Sequence, residues 1–320
     1  CTSPGQTFAI SAFTPAIRES LRLSDSRLSL AYMMGTVLAA LPLSIVGPMS
    51  DRWGLRATTL VATLALSLTC LLASQVSSFL TLFVAFFALR FLGQGSLTLL
   101  SGNAISMWFR TKIGRVSAAM SFGTAITFAF VPEWINDSIE SFGWRQTYRA
   151  MAVVVATLVL PLLVLLFRNQ PEDIGQSVDG ARQLPHPQDA TDPIGLADQS
   201  LTLRQATRGR SFYILAATTS MWAMVGTGIV FYLFTLCADR GFNADVPADL
   251  FKTFGLTMLA AQLAGGVLAD FWPLSRLLGI GTVMLAIGTA MLLSSSVAML
   301  HGFAVLFGGG QGLLIAVGAV

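Results

Sequence analysis

Apolar runs too long for an ordinary soluble core set the terms of this chain. Residues 79–107 carry one charge, Arg90. A helix that crosses the hydrocarbon core of a bilayer needs about 20 mainly apolar residues. Runs of that kind recur at about 28–49, 56–75, 79–107, 115–135, 146–167, 211–236, 250–270, 275–298 and 301–320, and a partial one occupies 3–17. Ten spans are therefore expected, and the fold class is all-α. The runs lack the ten-residue alternation of a membrane barrel, and helices satisfy their backbone groups internally, as lipid requires. Charged residues are 11% of the chain and hydrophobic residues 54%. Soluble domains carry about 25% charged residues, so a water-facing surface is not available.

The same composition excludes other classes. A net charge of +3 with no basic run gives no basis for binding nucleic acid. Cys70 and Cys237 lie inside apolar runs and Cys1 is terminal, so they read as packing residues and not as a disulfide framework. His186 and His301 have no Cys or His near them in sequence, so no metal or cofactor is expected. There is no Gly-rich phosphate loop with its Lys and Ser/Thr, and no other enzyme motif. Any work the chain does would draw on an ion or solute gradient. The chain opens on Cys1 in mid-pattern and closes inside an apolar run, which reads as a piece of a longer membrane protein.

One long hydrophilic segment, 168–210, interrupts the spans and is rich in Pro, Asp, Gln and Gly. It cannot bury enough apolar area to fold alone. It divides the chain into 1–167 and 211–320 and is expected to end in a short amphipathic stretch, Leu201 to Arg210. Basic residues in loops set orientation. One side carries Arg52, Arg56, Arg110, Lys112, Arg115, Arg168, Arg182, Arg204, Arg208, Arg210 and Arg276; the other carries only Arg18, Arg22, Arg27, Arg145, Arg149, Arg240 and Lys252. The first side, with the linker, is expected to be cytoplasmic.

Two echoes mark an internal repeat. "VGPMSDRWGLR" after span 2 resembles "GGVLADFWPLSR" after span 8, pairing Gly47 with Gly266 and Asp51 with Asp270. "GQGSLTLLSGNA" resembles "GQGLLIAVGAV", pairing Gln94 with Gln311. The nearly equal offsets imply two parallel halves. Residues 47–56 resemble the loop signature of the major facilitator superfamily, G-x-x-x-D-R-x-G-[RK]-[RK], through Gly47, Asp51, Arg52, Gly54 and Arg56; Leu55 departs from it. "RFLGQG", "GNAISMWFRTKIGRVSAAMSFG", "GWRQTY" and "PEDIG" are similar to the bacterial branch near monocarboxylate porters and oxalate/formate antiporters. The resemblance implies a twelve-span protein of two parallel six-helix half-bundles. Here the N-terminal half-bundle would be 1–167 with its first span truncated, the cytoplasmic linker 168–210, and the C-terminal half-bundle 211–320 without its last two spans.

It also implies a secondary transporter, symporter or antiporter, in the lipid bilayer of the bacterial inner membrane. It would move a small-molecule substrate, with protons as a candidate coupling ion. Asp51, Arg52 and Arg56 would form a cytoplasmic latch, with Gly47 allowing close approach and Gly54 a tight turn; Asp270 and Arg276 would echo it. The plainer reading is a loop whose charges only set orientation. Arg90 lies roughly 18 Å into its span at 1.5 Å per residue, where a charge costs at least ~2.5 kcal/mol. As an α-helix, this span would put Phe83, Phe86, Arg90, Gln94, Leu97 and Ser101 on one face. Arg90 is a candidate to bind a substrate carboxylate, to tune a proton-carrying acid, or simply to bond carbonyls of a neighbouring span.

The related porters carry a span 8 arginine four residues before the loop glycine. That position is Gln262 here, which weighs against oxalate-like or lactate-like anions. Lys252 would replace the charge only if the cavity reaches it, and Glu133 is a candidate proton carrier. Gln6, Tyr32, Trp222, Tyr232 and Gln262 are further cavity candidates. The expected substrate is a small organic anion such as a carboxylate. The alternatives are efflux of amphipathic or cationic compounds, and a transporter-like sensor or scaffold.

Overall fold

The computed structural model describes residues 3–109, 113–176, 178, 209–243, 245–268, 271–294 and 296–318. The described residues form ten helical rods and no strand. The first six are α1 (Thr7–Leu21), α2 (Asp25–Ala40 continued by Leu43–Trp53), α3 (Leu55–Ala73), α4 (Phe79–Trp108), α5 (Ile113–Phe142) and α6 (Trp144–Leu166). Four more follow the polar segment: α7 (Arg210–Asp239), α8 (Asp245–Leu268), α9 (Leu274–Met291) and α10 (Val297–Gly318). The stretch Leu201 to Arg208 lies outside the described residues.

Six of the rods are each long and apolar enough to cross a membrane: α3, α4, α6, α8, α10 and the Trp222–Asp239 part of α7. α2 is a seventh if its two pieces count as one. Among the described residues, α1 has 15 residues and α9 offers the apolar stretch Ser275–Met291; α5 is 30 residues long and carries Glu133, Asp137 and Glu140 toward one end.

α2 is not the unbroken span expected over 28–49. It bends by 43° between its two pieces. Pro42 has no N–H to bond back to Leu38, and the Leu38 carbonyl takes the Leu41 N–H at 3.2 Å instead. Two other rods contain a wide π turn: Arg90–Leu97 in α4 and Val155–Val159 in α6. The second comes just before Pro161, which cannot bond to the residue four back. Each π turn shifts the faces of the helix that follows it. Gly54 joins α2 to α3 at φ +83° and Gly143 joins α5 to α6 at φ +80°. Side chains rarely adopt that left-handed backbone.

α2 and α3 lie against α4, and α3 also against α6; α10 lies against α8 and α9. The two groups meet where α1 packs on α7 and α5 on α8. The second contact is close. A Cβ built on Gly255 of α8 would sit 2.8 Å from the Cβ of Ala129 on α5. One apolar cluster, including Phe13, Phe86, Tyr148, Phe234, Phe251 and Phe303, runs through both groups. Outside it, Val37, Leu41, Leu72, Leu80, Leu165 and Val267 are each more than half exposed. Such a girdle would aggregate in water and matches hydrocarbon. Several buried hydroxyls bond backbone carbonyls. Thr63 bonds the carbonyl of Thr59, and Ser67 bonds that of Ala152 across α3 and α6 at 2.9 Å.

Candidate functional site

A cavity of about 500 Å³ lies where the two helix groups meet. Gln6, Thr7, Gln94 and Thr98 line it from one group, and Trp222, Gln262 and Gln311 from the other. Ser121, Thr124 and Phe128 of α5 complete the first side. No ionised side chain is among the described residues that line it. Four of the expected cavity residues are thus brought together: Gln6, Gln94, Trp222 and Gln262. Gln311 was not among them. Its signal was the repeat, because the two "GQG" copies place Gln94 and Gln311 in one cavity from opposite groups. Gly226 makes room for it: a Cβ there would lie 2.7 Å from Gln311 Nε2. Among the described residues, two polar atoms of lining residues are buried without a partner, Trp222 Nε1 and Gln262 Oε1.

Arg90 is one layer behind the cavity and only 7% exposed. Its Nε donates to Thr36 Oγ1 at 3.1 Å and its Nη1 to Thr7 Oγ1 at 2.9 Å. Nη1 also donates to Gln94 Oε1. Thr7 passes its own proton to Gln94 Oε1 at 3.2 Å and accepts from Tyr32 Oη at 3.0 Å. The guanidinium stands 5.2 Å from the centre of the Tyr32 ring. Its partners are side-chain oxygens, not the carbonyls of a neighbouring span. Among the described residues no carboxylate is within ion-pair reach. The cation is therefore solvated by neutral dipoles. It pins Gln94 by its oxygen, which leaves the Gln94 amide N–H groups as the donors on the cavity side.

The single α-helical face expected for this span is not kept. The π turn begins at Arg90, so Leu97 is buried at 3% exposure and Thr98 lines the cavity next to Gln94. Tyr32 does not line the cavity either. It stacks on Phe231 of α7 at 3.9 Å, closing the space above Thr7. Tyr232 is turned away from the cavity, toward the charges of Arg18, Asp25 and Asp239. On α7 it is two residues past Val230, which lines the cavity, and so about 160° round from it.

The contacts between the groups gather at one end, where α1, α5 and α7 finish and α8 begins. Ser11 donates to the Phe231 carbonyl at 2.8 Å and Thr14 meets Thr235 at 3.2 Å. Arg18 bridges Asp25 at 2.6 Å and Asp239 at 3.1 Å. Lys252 meets Glu133 at 3.5 Å. Lys252 thus does not reach the cavity to replace the missing arginine. Its partner Glu133 shares a surface cleft with Asp137, Asp245, Asp249 and His301. At the opposite end, no hydrogen bond or ion pair joins the groups among the described residues.

The charged stretch that closes α2 and begins α3 lies toward that end. Arg56 is held within its own group: its N–H bonds Asn169 Oδ1 at 2.8 Å and its Nη2 bonds the Val164 carbonyl at 2.6 Å. Gly54 makes the expected turn, with Asn169 pressed against it. Asp51 and Arg52 are exposed, and Asp51 borders a polar cleft with Asn103, Ser106 and Asn169. The close approach expected at Gly47 is not made, since a Cβ there would meet nothing within 4 Å. Buried Val46, and Leu43 against Gly95, carry the packing of that piece instead. Arg276 is exposed at the start of α9 beside Trp272. Asp270 lies outside the described residues.

This arrangement of helices has known counterparts. The chain is 21% identical over 294 residues to the uncharacterised MFS-type transporter YhjX of Escherichia coli (strain K12), covering 90% of this chain and 68% of that protein. A bacterial homologue of the human lysosomal transporter Spinster, solved inward-facing and unoccupied, superposes with TM-score 0.70 at 16% identity, covering 99% of this chain and 71% of that one. A D-xylose–proton symporter superposes with TM-score 0.62 at 16% identity, covering 99% of this chain and 85% of that one. The family model of the Major Facilitator Superfamily matches residues 1–251. With its apolar spans and this match, the chain is a multi-pass integral membrane protein and belongs to the Major Facilitator Superfamily of transporters.

Proposed function

We propose that the protein is a secondary active transporter that moves a small organic anion by alternating access. The observation that carries the anion reading is Arg90. It is a buried cation in the interior of a span, without a carboxylate among the described residues to neutralise it, coupled through Gln94 to the central cavity. A charge so placed is costly and is usually kept for function. It favours an anion in the cavity by long-range attraction, and it favours one locally by aiming the Gln94 N–H groups. A cationic substrate finds no carboxylate in the described lining.

In this reading 1–167 and 211–320 are the two half-bundles, joined by the linker 168–210. The side richer in Arg and Lys is the cytoplasm of a bacterial inner membrane. The end closed by Arg18–Asp239 and Glu133–Lys252 is then the outer end, and the cavity opens inward. The latch at Asp51, Arg52 and Arg56 would engage the other half-bundle when the inner side closes. With no nucleotide motif in the sequence, the driving force is a gradient, with protons the first candidate.

The test uses the full chain in proteoliposomes loaded with a pH dye. Small carboxylates are added one at a time, then lipophilic cations, to the native protein and to Arg90→Gln. Carboxylate-driven proton movement that Arg90→Gln abolishes is the expected result. Inert carboxylates, with cations that collapse the gradient, would reject the anion reading.

A further inference from the structure

One part of the apolar girdle is both hollow and charged. A groove of about 530 Å³ runs along α9, lined by Trp272, Arg276, Gly279, Ile280, Val283 and Met284. From Arg276 onward these residues recur every three or four positions, so they form a single stripe of the helix. Gly279 deepens the hollow, since a Cβ there would meet nothing within 4 Å. Ile280 and Val283 are 40% and 56% exposed. Arg276 stands at one end beside Trp272, exposed and without an ion pair among the described residues. From Arg276 to Met284 the stripe is about 12 Å long at 1.5 Å per residue. That fits within half of a hydrocarbon core, roughly 15 Å.

The repeat argues that this stripe faces lipid and not a further helix. The offset that pairs Gly47 with Gly266 also pairs Leu55 with Leu274, the first residues of α3 and α9. It matches Ile280 to Val61 and Val283 to Leu64. α6 packs on α3, yet Val61 and Leu64 stay 52% and 47% exposed. A helix packed on α9 as α6 packs on α3 would leave the groove open. The match to Arg276 is Ala57, so the architecture does not itself require a cation there.

We propose that the groove binds one anionic phospholipid, with its phosphate at Arg276, its glycerol backbone beside Trp272 and an acyl chain along Gly279, Ile280 and Val283. An indole suits the headgroup level of a bilayer, and a basic residue at that level attracts anionic lipid. A zwitterionic headgroup carries its own cation and gains less from Arg276. The site is independent of what the central cavity carries, and it assigns Arg276 to lipid and not to the latch.

Native mass spectrometry tests this on the full chain in detergent, titrated with dioleoylphosphatidylglycerol or dioleoylphosphatidylcholine. The phosphatidylglycerol is expected to bind its first site about 5-fold more tightly, or roughly 1 kcal/mol. Arg276→Gln should erase that preference and Arg276→Lys should keep most of it. Arg149→Gln, at an exposed arginine of α6, should leave it unchanged. Gly279→Leu should fill the groove and weaken both lipids several-fold. Unchanged melting temperatures would show that the variants are folded. Glycerol 3-phosphate, which has a phosphate without chains, should not compete. Equal binding of the two lipids overturns the proposal, as does a preference that survives Arg276→Gln. Native lipid affinity in Gly279→Leu would remove the chain from the groove and the proposal with it. Competition by glycerol 3-phosphate would make this a site for a soluble phosphate and overturn the lipid assignment.

Discussion

At the scale of single residues, one small polar side chain of the network carries several bonds. The Thr7 hydroxyl accepts from Arg90 and Tyr32 and donates to Gln94. Replacing it with Val keeps the shape, removes three hydrogen bonds and leaves the buried Tyr32 Oη without its acceptor, while Arg90 and Gln94 keep each other. Each unpaired group costs about 1–3 kcal/mol, so Thr7→Val should lower the melting temperature and loosen Gln94 more than a surface threonine change would. Differential scanning of the two variants side by side checks this. Gly226 makes the complementary case. A methyl there collides with Gln311 Nε2, and the flexible amide can swing aside, so the fold should survive Gly226→Ala. Substrate binding should fall several-fold because Gln311 has left its place in the lining. Native binding in Gly226→Ala would mean that Gln311 takes no part in recognition.

At the scale of the helices, the breaks matter as much as the runs. Pro42 splits α2, while Pro15 and Pro132 sit inside continuous α1 and α5. Proline alone does not decide, because neighbouring helices can satisfy the freed carbonyl groups in lipid. The contact of α5 with α8 depends on Gly255 lying against Ala125 and Ala129. Gly255→Val would overpack that seam by about 1–3 kcal/mol. The cost falls on the conformation in which the seam is closed, so the variant should favour the one in which α5 and α8 separate. Spin labels at the ends of α5 and α8 would report a longer distance in Gly255→Val; an unchanged distance would mean that the seam stays shut.

At the scale of the whole molecule, every hydrogen bond and ion pair between the two helix groups among the described residues lies at one end. The ion pairs there are partly exposed, and exposed pairs are worth only about 0.2–1 kcal/mol each. Neutralising both, with Asp239→Asn and Glu133→Gln, should shift the balance by about 1 kcal/mol, roughly five-fold in the ratio of states. The readout is labelling of Thr235→Cys by a membrane-impermeant maleimide, in a background without Cys1, Cys70 and Cys237. Labelling should rise several-fold in the double variant. Tyr32 on Phe231 and Ser11 on the Phe231 carbonyl would be holding that end closed on their own if it did not.

The sequence by itself settled the solvent, the number of rods and the repeat. Those depend on run length and on the cost of putting a charge in hydrocarbon, both readable without neighbours. The place of Arg90 within a long apolar helix was legible for the same reason, and so was the turn at Gly54. Only the tertiary structure decided which residues share the cavity. It set Gln311 opposite Gln94, placed Arg90 behind Gln94, took Lys252 to Glu133, and turned Tyr32 and Tyr232 out of the lining. The physical reason is the solvent. In a bilayer an apolar side chain suits the outside of the bundle as well as its inside, so hydrophobic patterning does not say which face of a helix points inward. That rotation is set by small residues such as Gly226 and Gly255, by the bend at Pro42 and by the π turn at Arg90. Their effect on rotation appears only when helices far apart in sequence are packed together.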